Sequence, residues 1–195
     1  MVYNSPMSSN GVLDKLLGGP ARVKILRLFI LNPDSNFESK IIAQKTKVKG
    51  HSLRRELGAL RSVRFIKKAG KGYRLSRSFE FLIPLRNLLL STEPFKGNEI
   101  VSRFKNGGKI KLVVASGVFT QSPDGRVDLL LVGDRLKRNK IENALKNMES
   151  EVGKELSYAI FETPEFKYRM EVYDKFVRDV FDYPHRVLLD KIGVV

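Results

Sequence analysis

The sequence of 195 residues predicts an α+β protein with two structural units of different composition. Three observations lead to this prediction. The first half contains three segments with the apolar spacing of helices, followed by a short β-like hairpin. The second half alternates strand-like apolar runs with helical segments, as expected of a small α/β layer. Positive charge is concentrated in the first half, because residues 1–95 hold 18 Lys and Arg against 6 Asp and Glu, whereas residues 96–195 hold 18 against 15.

The overall composition narrows the class of protein. A net charge of +15 and an isoelectric point near 10.1 favour a polyanionic binding partner, although a basic protein without such a partner stays an alternative. Cysteine is absent and only two histidines are present, which excludes thiolate metal sites and makes a histidine-rich zinc site unexpected. The chain has no apolar run of membrane-spanning length and no secretion signal at its start. We therefore expect a cytoplasmic protein that does not bind a membrane.

The first two helices are predicted from their apolar faces and their stop signals. The first ten residues are polar and are expected to be loosely ordered. Pro20 begins a helix at a position where its missing N–H costs nothing, and the segment "NPDSN" at 32–36 ends that helix. A second helix is expected at about 39–45, and "TKVKG" at 46–50 connects it to the next helix.

The third helix, at about 51–63, has one apolar stripe and a largely cationic opposite face. Leu53, Leu57 and Leu60 form the stripe at spacings i, i+4 and i+7. The segment "RFIKKAGKGYRLS" at 64–76 follows, as two short β-like runs joined by a glycine turn with basic residues around its tip. Three helices followed by a basic hairpin is the pattern of a winged helix-turn-helix.

Residues 12–78 resemble the ArsR-like winged-helix family. The matching segments are "IIAQKTKVKGHSLRRELGALRSVRFI" and the hairpin, or wing, "KKAGKGYRLS". The resemblance implies double-stranded DNA as the partner, with helix 51–63 in the major groove and the wing on the flanking backbone. The positions that match groove-facing residues of the family are Ser52, Arg54 and Arg55. The positions that match its wing contacts are Lys68, Lys71 and Arg74.

The chemistry of these side chains agrees with DNA binding. Arginine can bind guanine O6 and N7 as a bidentate pair, and lysines on a hairpin make phosphate contacts that weaken with salt. The full set of candidate DNA-binding residues is Lys47, Lys49, His51, Ser52, Arg54, Arg55, Arg61, Lys67, Lys68, Lys71 and Arg74. Two alternatives stay open: a solvated basic face on an ordinary three-helix domain, and an RNA-binding module, since charge does not distinguish the two polymers. We expect a homodimer, because one short winged helix buries little interface and paired half-sites multiply specificity.

Residues 79–97 are predicted to connect the two units. The segment "FEFLIPLRNLLLS" at 79–91 is too apolar to stand alone in water. We expect a helix there, starting or broken near Pro84, that packs against the second unit or against a second copy of the chain. In the second unit, 98–195, strands are predicted at 109–115, 126–133 and 155–161, helices at about 99–105, at about 136–152 and between 162 and 182, and "RVLLDKI" closes the chain.

The second unit resembles the minimal nucleotidyltransferase fold of the polymerase-beta superfamily across about residues 99–195. In that family a Gly-Ser turn holds the nucleotide phosphates, and an Asp-x-Asp pair with a third acid binds two Mg²⁺ ions. Here the turn reads Ser116-Gly117, the Asp-x-Asp position reads Arg126-Val127-Asp128, and positions 157–159 carry no acid. Asp124 is an additional carboxylate in a turn that leaves its direction undetermined.

These substitutions argue against catalysis. Two Mg²⁺ ions need several anionic oxygens, and a strand would place Arg126 on the same face as Asp128, about 6.5–7 Å away, where an ion would sit. The sequence therefore predicts no enzyme activity, no catalytic residue, no metal and no cofactor. We expect the second unit to serve dimerisation or ligand sensing, with Ser116, Gly117, Arg126 and Asp128 holding a phosphate or nucleotide in the sensing case. The expected function is a transcriptional regulator, and the alternative from another class is a metal-dependent nucleotidyltransferase acting on nucleic acid or protein.

Overall fold

The structure is a computed structural model that describes residues 9–92, 95–122 and 125–194. The α+β class is confirmed, because the helices are accompanied by two small sheets. The chain divides into two compact units, which we call unit 1 (residues 1–94 and 147–154) and unit 2 (residues 95–146 and 155–195). Asp124, considered above as an additional carboxylate, lies outside the described residues.

Unit 1 contains five helices and one hairpin among its described residues. They are α1 (Ser9–Leu16), α2 (Pro20–Leu31), α3 (Ser39–Thr46), α4 (Gly50–Ser62), β1 (Ile66–Ala69), β2 (Gly72–Leu75) and α5 (Leu82–Ser91). Residues 1–8, part of the start that was expected to be loosely ordered, lie outside the described residues, and α1 was not predicted. Leu13, which is buried in the core, and Leu17, which packs against that core, stand four residues apart and hold α1 in place.

The wing is attached to the helices by backbone pairing. β1 and β2 are antiparallel, and the two-residue turn between them has Gly70 at φ 55. Phe37 and Tyr73 exchange two backbone hydrogen bonds of 2.9 Å, so the loop between α2 and α3 forms a third, one-residue rung of this sheet. Gly72 permits that approach, because a Cβ there would lie 2.8 Å from the carbonyl oxygen of Phe37.

The core of unit 1 lies between α2, α4 and the wing. Phe29, Leu57 and Phe65 are among its buried members. α5 also joins this core through Leu89, so the expectation that its apolar face would pack on the second unit or on another copy was wrong for that face. The remaining apolar side chains of the 79–91 segment are not all covered, since Phe81 and Ile83 stay exposed.

Residues 147–154 belong to unit 1, although the sequence analysis placed them in the second domain. The buried Arg27 on α2 donates a hydrogen bond to the carbonyl oxygen of Glu151, at 3.1 Å. Asn32, the residue that ends α2, donates to the carbonyl oxygen of Gly153, at 2.9 Å. Burial lowers the pKa of Arg27, and the nearby Asp14 and Glu151 oppose that shift. Arg27, a buried arginine at an otherwise apolar helix face, thus holds residues 147–154 in place. The apolar periodicity of the sequence gives no signal for this contact.

Unit 2 is built on a four-stranded mixed sheet. Its elements are α6 (Gly97–Arg103), β3 (Lys109–Ala115), a 3₁₀ turn (Gly117–Phe119), β4 (Leu129–Asp134), α7 (Arg138–Val152, ending within unit 1), β5 (Tyr158–Glu162), α8 (Thr163–Glu171), α9 (Lys175–Asp182) and β6 (Arg186–Asp190). The strand order is β5-β4-β3-β6, with β4 and β5 parallel and the other pairs antiparallel. β4 begins at residue 129 rather than at the expected 126. Arg126 and Asp128, which were expected to lie on one face of this strand, therefore precede it.

No helix among the described residues is long and apolar enough to cross a membrane.

Candidate nucleic-acid interface

The basic face of α4 is exposed. His51, Arg54, Arg55 and Arg61 lie on the surface, and Ser52 is half-buried. α4 is held from its other side, where the buried Leu53, Leu57 and Leu60 pack into the core as the apolar stripe predicted. The helix therefore presents its candidate residues outward on a rigid element, which is the arrangement that a groove-binding helix requires.

One acidic residue lies within this helix, and it is buried. Glu56 has a side chain only 1% exposed, and its two carboxylate oxygens accept hydrogen bonds from Arg22 at 2.7 Å and from Arg55 at 2.9 Å. Burial by itself would raise the pKa of Glu56, but the hydrogen bonds from Arg22 and Arg55 outweigh it and hold the pKa below its ordinary value. Glu56 is therefore an ionised carboxylate that anchors two arginines.

Glu56 was not among the predicted site residues, although its position in the sequence carries a signal. Residue 56 stands three positions after Leu53 and one before Leu57, so it falls within the apolar stripe rather than on the outer face. A charged residue in an apolar stripe next to arginine indicates a buried ion pair. This pairing restrains the guanidinium of Arg55 at the helix surface. The side chain of Arg54, by contrast, makes no hydrogen bond or ion pair with the residues that the structure describes.

The arginines at both ends of the outer face border a shallow groove. The groove has a volume of ≈ 170 Å³ and is lined by Arg54, Gly58 and Arg61 of α4, together with Ser39 at the start of α3 and Tyr73 of the wing. A Cβ added at Gly58 would meet no atom within 4 Å, so the groove has open space at this position. The structure thus brings a helix residue, a wing residue and the first residue of α3 to one place.

The wing carries its lysines on the surface. Lys67, Lys68, Lys71 and Arg74 are all exposed, and Lys71 lies in the turn between the two strands. Lys68 is directly across the ladder from Tyr73, and its ammonium lies 4.4 Å from the centre of that ring. This cation–π contact restrains Lys68 without neutralising its charge.

The turn between α3 and α4 holds the remaining candidates. Lys47 ends α3 in a left-handed backbone conformation (φ 58), and its ammonium donates a hydrogen bond to the side-chain oxygen of Asn147. Lys49 is exposed at the N-cap of α4. Of these two lysines, Lys47 is therefore already engaged within unit 1.

Charge separates this surface from the rest of the molecule. Residues 39–79 contain 13 Lys and Arg and a single acidic residue, the buried Glu56. The acidic residues next to this segment in the chain are Asp34, Glu38 and Glu80. Asp34 forms an ion pair with Arg77, and the other two side chains are exposed. The exposed surface of α3, α4 and the wing is therefore cationic, and the one carboxylate within residues 39–79 is the buried Glu56, which pairs with Arg55.

The second candidate site, at the turn after β3, is organised around Asp128. This buried carboxylate accepts hydrogen bonds from the backbone N–H of Val118 at 2.7 Å and of Ser157 at 2.8 Å. Gly117 has φ 53, and a Cβ at that position would collide with the Asp128 carboxylate. Both oxygens of Asp128 thus bind the protein itself and link the turn to the segment before β5.

Other donors of this turn are also engaged. The Ser116 hydroxyl donates to the carbonyl oxygen of Pro184 at 2.8 Å, and its backbone N–H donates to the backbone carbonyl oxygen of Asp128. The N–H groups of Phe119 and Thr120 close the 3₁₀ turn by donating to the carbonyl oxygens three residues behind them. A phosphate bound by these donors would have to displace their present bonds.

Arg126 does not join the other three residues of the expected ligand site. Its Nε donates to the carboxylate of Asp179 on α9, at 2.8 Å, whereas Asp128 points into the turn. The expectation that both side chains share a strand face was wrong, because β4 starts after them at Leu129. The structure brings Ser116, Gly117 and Asp128 together and directs Arg126 to an ion pair elsewhere in unit 2.

The remaining acids near the sheet make structural contacts. Asp134, at the end of β4, lies 2.7 Å from the Lys111 ammonium, and Glu162 accepts hydrogen bonds from the backbone N–H groups of Arg135 and Leu136. Within residues 9–92, 95–122 and 125–194, no group of three or more His, Cys, Asp or Glu side chains is placed to hold a metal ion. No protein-family model, curated protein or solved structure matches the chain.

Proposed function

We propose that this chain is a sequence-specific DNA-binding protein and a transcriptional regulator, in which α4 enters the major groove and the wing contacts the flanking backbone. The observation that carries the proposal is the charge of residues 39–79, with 13 basic side chains and one buried acid on adjacent exposed elements. Clustered Lys and Arg on one helix and a neighbouring hairpin is the electrostatic pattern of a nucleic-acid interface.

The dimensions of α4 suit duplex DNA. A helix with its side chains is about 10–12 Å across, and the major groove of B-DNA is about 12 Å wide. α4 has 13 residues and carries Ser52 and Arg54 in its first turns, the part of a recognition helix that reaches base edges. Structured RNA offers a major groove that is too deep and narrow for a helix, so the geometry favours DNA over RNA.

The candidate residues divide into two roles. Arg54, exposed and outside the Glu56 ion pair, is the residue we assign to base recognition, with Ser52 beside it. The wing cations Lys68 and Lys71 are assigned to phosphates, because a hairpin beside the groove meets the backbone. Arg55 has a restrained guanidinium and is assigned to a fixed position at the groove edge.

An apolar face of unit 1 supports the homodimer in this proposal. Leu16 of α1 is 70% exposed, and Val63 and Phe81 are also largely exposed. Leu16 and Val63 border a cavity of ≈ 440 Å³ that is otherwise lined mainly by leucine and phenylalanine, and Phe81 contacts Phe79, another lining residue. An apolar patch of this kind on a strongly cationic unit is a common feature of subunit interfaces.

Unit 2 is assigned a non-catalytic role in assembly or sensing. The residue that corresponds to the second metal-binding acid, Asp128, has both oxygens bound to backbone N–H groups. That use of the carboxylate favours a structural function over metal binding. Incorporation of label from radioactive ATP with Mg²⁺ or Mn²⁺, lost in Asp128→Ala, would instead establish the transferase alternative.

Selection of binding sites from random DNA duplexes tests the proposal. The full chain should enrich a defined sequence motif, and Arg54→Ala should lose the preference at one position of that motif. Lys154→Ala, a charge change outside the interface on an exposed residue, is the matched control and should select the same motif. Enrichment of no motif, or competition by structured RNA as strong as by the selected duplex, would contradict sequence-specific DNA binding.

A further inference from the structure

Unit 2 contains a cavity that the DNA-binding proposal does not use. The cavity has a volume of ≈ 370 Å³ and lies at α8, α9 and the chain after β6. Cavities of about 300–1,000 Å³ are typical of sites for small organic ligands. Most of its lining is apolar or aromatic, including Met170, Val177, Phe181 and Val194.

Tyr173 lies at this cavity, just after the end of α8. Its backbone has φ 53, a conformation that favours glycine or asparagine, and its side chain is 82% exposed. The backbone turn is fixed by its N–H, which donates to the carbonyl oxygen of Met170, and the next residue bonds to Arg169. These two bonds form the Schellman pattern that ends α8, so the positive φ belongs to the helix end, and the exposed ring of Tyr173 borders the cavity as apolar surface available to a ligand.

The charged groups of the lining divide into engaged and accessible ones. Asp174 accepts hydrogen bonds from the N–H of Val177 at 3.0 Å and from Arg169 at 3.2 Å, and Arg169 also binds Glu165 at 2.9 Å. The charge of Arg169 is offset by these two carboxylates, and the contacts stabilise the turn between α8 and α9. Neither Asp174 nor Arg169 is therefore the group that would select a charged ligand.

Arg178 and His185 are the polar groups that remain. Arg178 lies 3.7 Å from Asp182, and both side chains are mostly exposed, so this pair is weak. The His185 Nδ1 donates to the carbonyl oxygen of Tyr183 at 2.9 Å, because a carbonyl oxygen only accepts. Its ring packs edge-on against Phe181, with 5.4 Å between the ring centres, and its Nε2 is an acceptor, which leaves Arg178 as the cation of the lining that can bind an anion.

We propose that this cavity binds a small carboxylic acid with an aromatic or short aliphatic body. The body would lie against Met170, Tyr173 and Phe181, and the carboxylate would bind Arg178. The site goes beyond the proposed function, since none of its lining residues belongs to unit 1. Its test does not depend on DNA binding, so each proposal can fail without the other.

The test is an NMR titration of the full chain with 4-phenylbutyrate, compared with the uncharged 4-phenylbutan-1-ol. For a ligand of this size we expect a Kd on the order of 1 mM, with shifts that saturate at residues lining the cavity. The alcohol should bind at least about tenfold more weakly, because it lacks the charge that pairs with Arg178. Equal affinity for the acid and the alcohol, or shifts that do not saturate, would overturn the proposal.

Two variants separate the charge from the ring. Arg178→Ala should weaken 4-phenylbutyrate about tenfold and leave the alcohol unchanged. Tyr173→Asn keeps a residue that tolerates the backbone conformation, so it should fold and weaken both probes by a similar factor. Lys175→Ala, an exposed change on α9 outside the cavity, is the control and should bind as the parent does. Unchanged binding in both variants would overturn the proposal. So would shifts of Met170 and Tyr173 that depend on protein concentration without any probe, because they would indicate a second copy on this face.

Discussion

Replacing Glu56 with glutamine tests the buried ion pair beneath the basic face of α4. The substitution keeps the shape of the side chain and removes its charge. The contact with Arg22, whose side chain is 34% exposed, is expected to contribute about 1.5 kcal/mol, at the lower end for hydrogen bonds to charged groups. The contact with Arg55, which is 61% exposed, adds about 0.5 kcal/mol because solvent screens it. Glu56→Gln should therefore lower the free energy of unfolding of unit 1 by about 2 kcal/mol at pH 7.

The pH dependence gives this prediction a second readout. The folded pKa of Glu56 lies below its ordinary value of 4.5, so its stabilising contribution is complete above pH 4.5 and is lost as the pH falls through the folded pKa. Urea unfolding followed by circular dichroism should show the full difference from the parent at pH 7 and a shrinking difference below pH 4.5. Glu80→Gln, at an exposed acid, is the control and should unfold as the parent does. A Glu56→Gln chain as stable as the parent at pH 7 would refute this account of the ion pair.

Three further predictions concern the two candidate sites. Arg54→Ala should weaken binding to a selected duplex by about 1–3 kcal/mol without changing the unfolding midpoint. Arg55→Ala should reduce both DNA affinity and stability. Fluorescence anisotropy measures the affinity of each variant, and urea unfolding measures its stability. Lys68→Ala or Lys71→Ala should weaken binding to every duplex alike and reduce the slope of log K against log salt by about one, and sequence-selective loss would contradict this. Asp128→Asn should destabilise unit 2 by about 1–3 kcal/mol in thermal unfolding, because an amide replaces one acceptor oxygen with a donor, and an unchanged melting temperature would argue against its structural role.

The helices and strands of this chain were largely predictable because their signals are local. The apolar stripe of Leu53, Leu57 and Leu60, and Pro20 at the start of α2, depend on helix geometry alone and agree with the structure. The strand at 109–115 was predicted with the bounds that β3 has. These features need no knowledge of which segments meet in space.

The sites depended on contacts between distant residues, which one sequence does not reveal. Asp128 was considered as a ligand because it matches the second acid of the Asp-x-Asp position, but its oxygens bind N–H groups 10 and 29 residues away in the chain. Arg126 binds Asp179, 53 residues away. The same reason applies to Arg27, whose burial against residues 147–154 has no periodic signal. Glu56 is the exception, since its place in the apolar stripe indicates burial.

The most direct test of DNA binding by α4 and the wing is the affinity of the full chain for a labelled duplex as a function of salt. Six candidate cations lie in the turn and the wing, and one of them, Lys47, already bonds within unit 1. With about five phosphate contacts, log K should fall linearly with log salt with a slope of about −4 to −5. A chain that fails to bind the duplex even at about 50 mM salt, or binds with a slope near zero, would contradict the account.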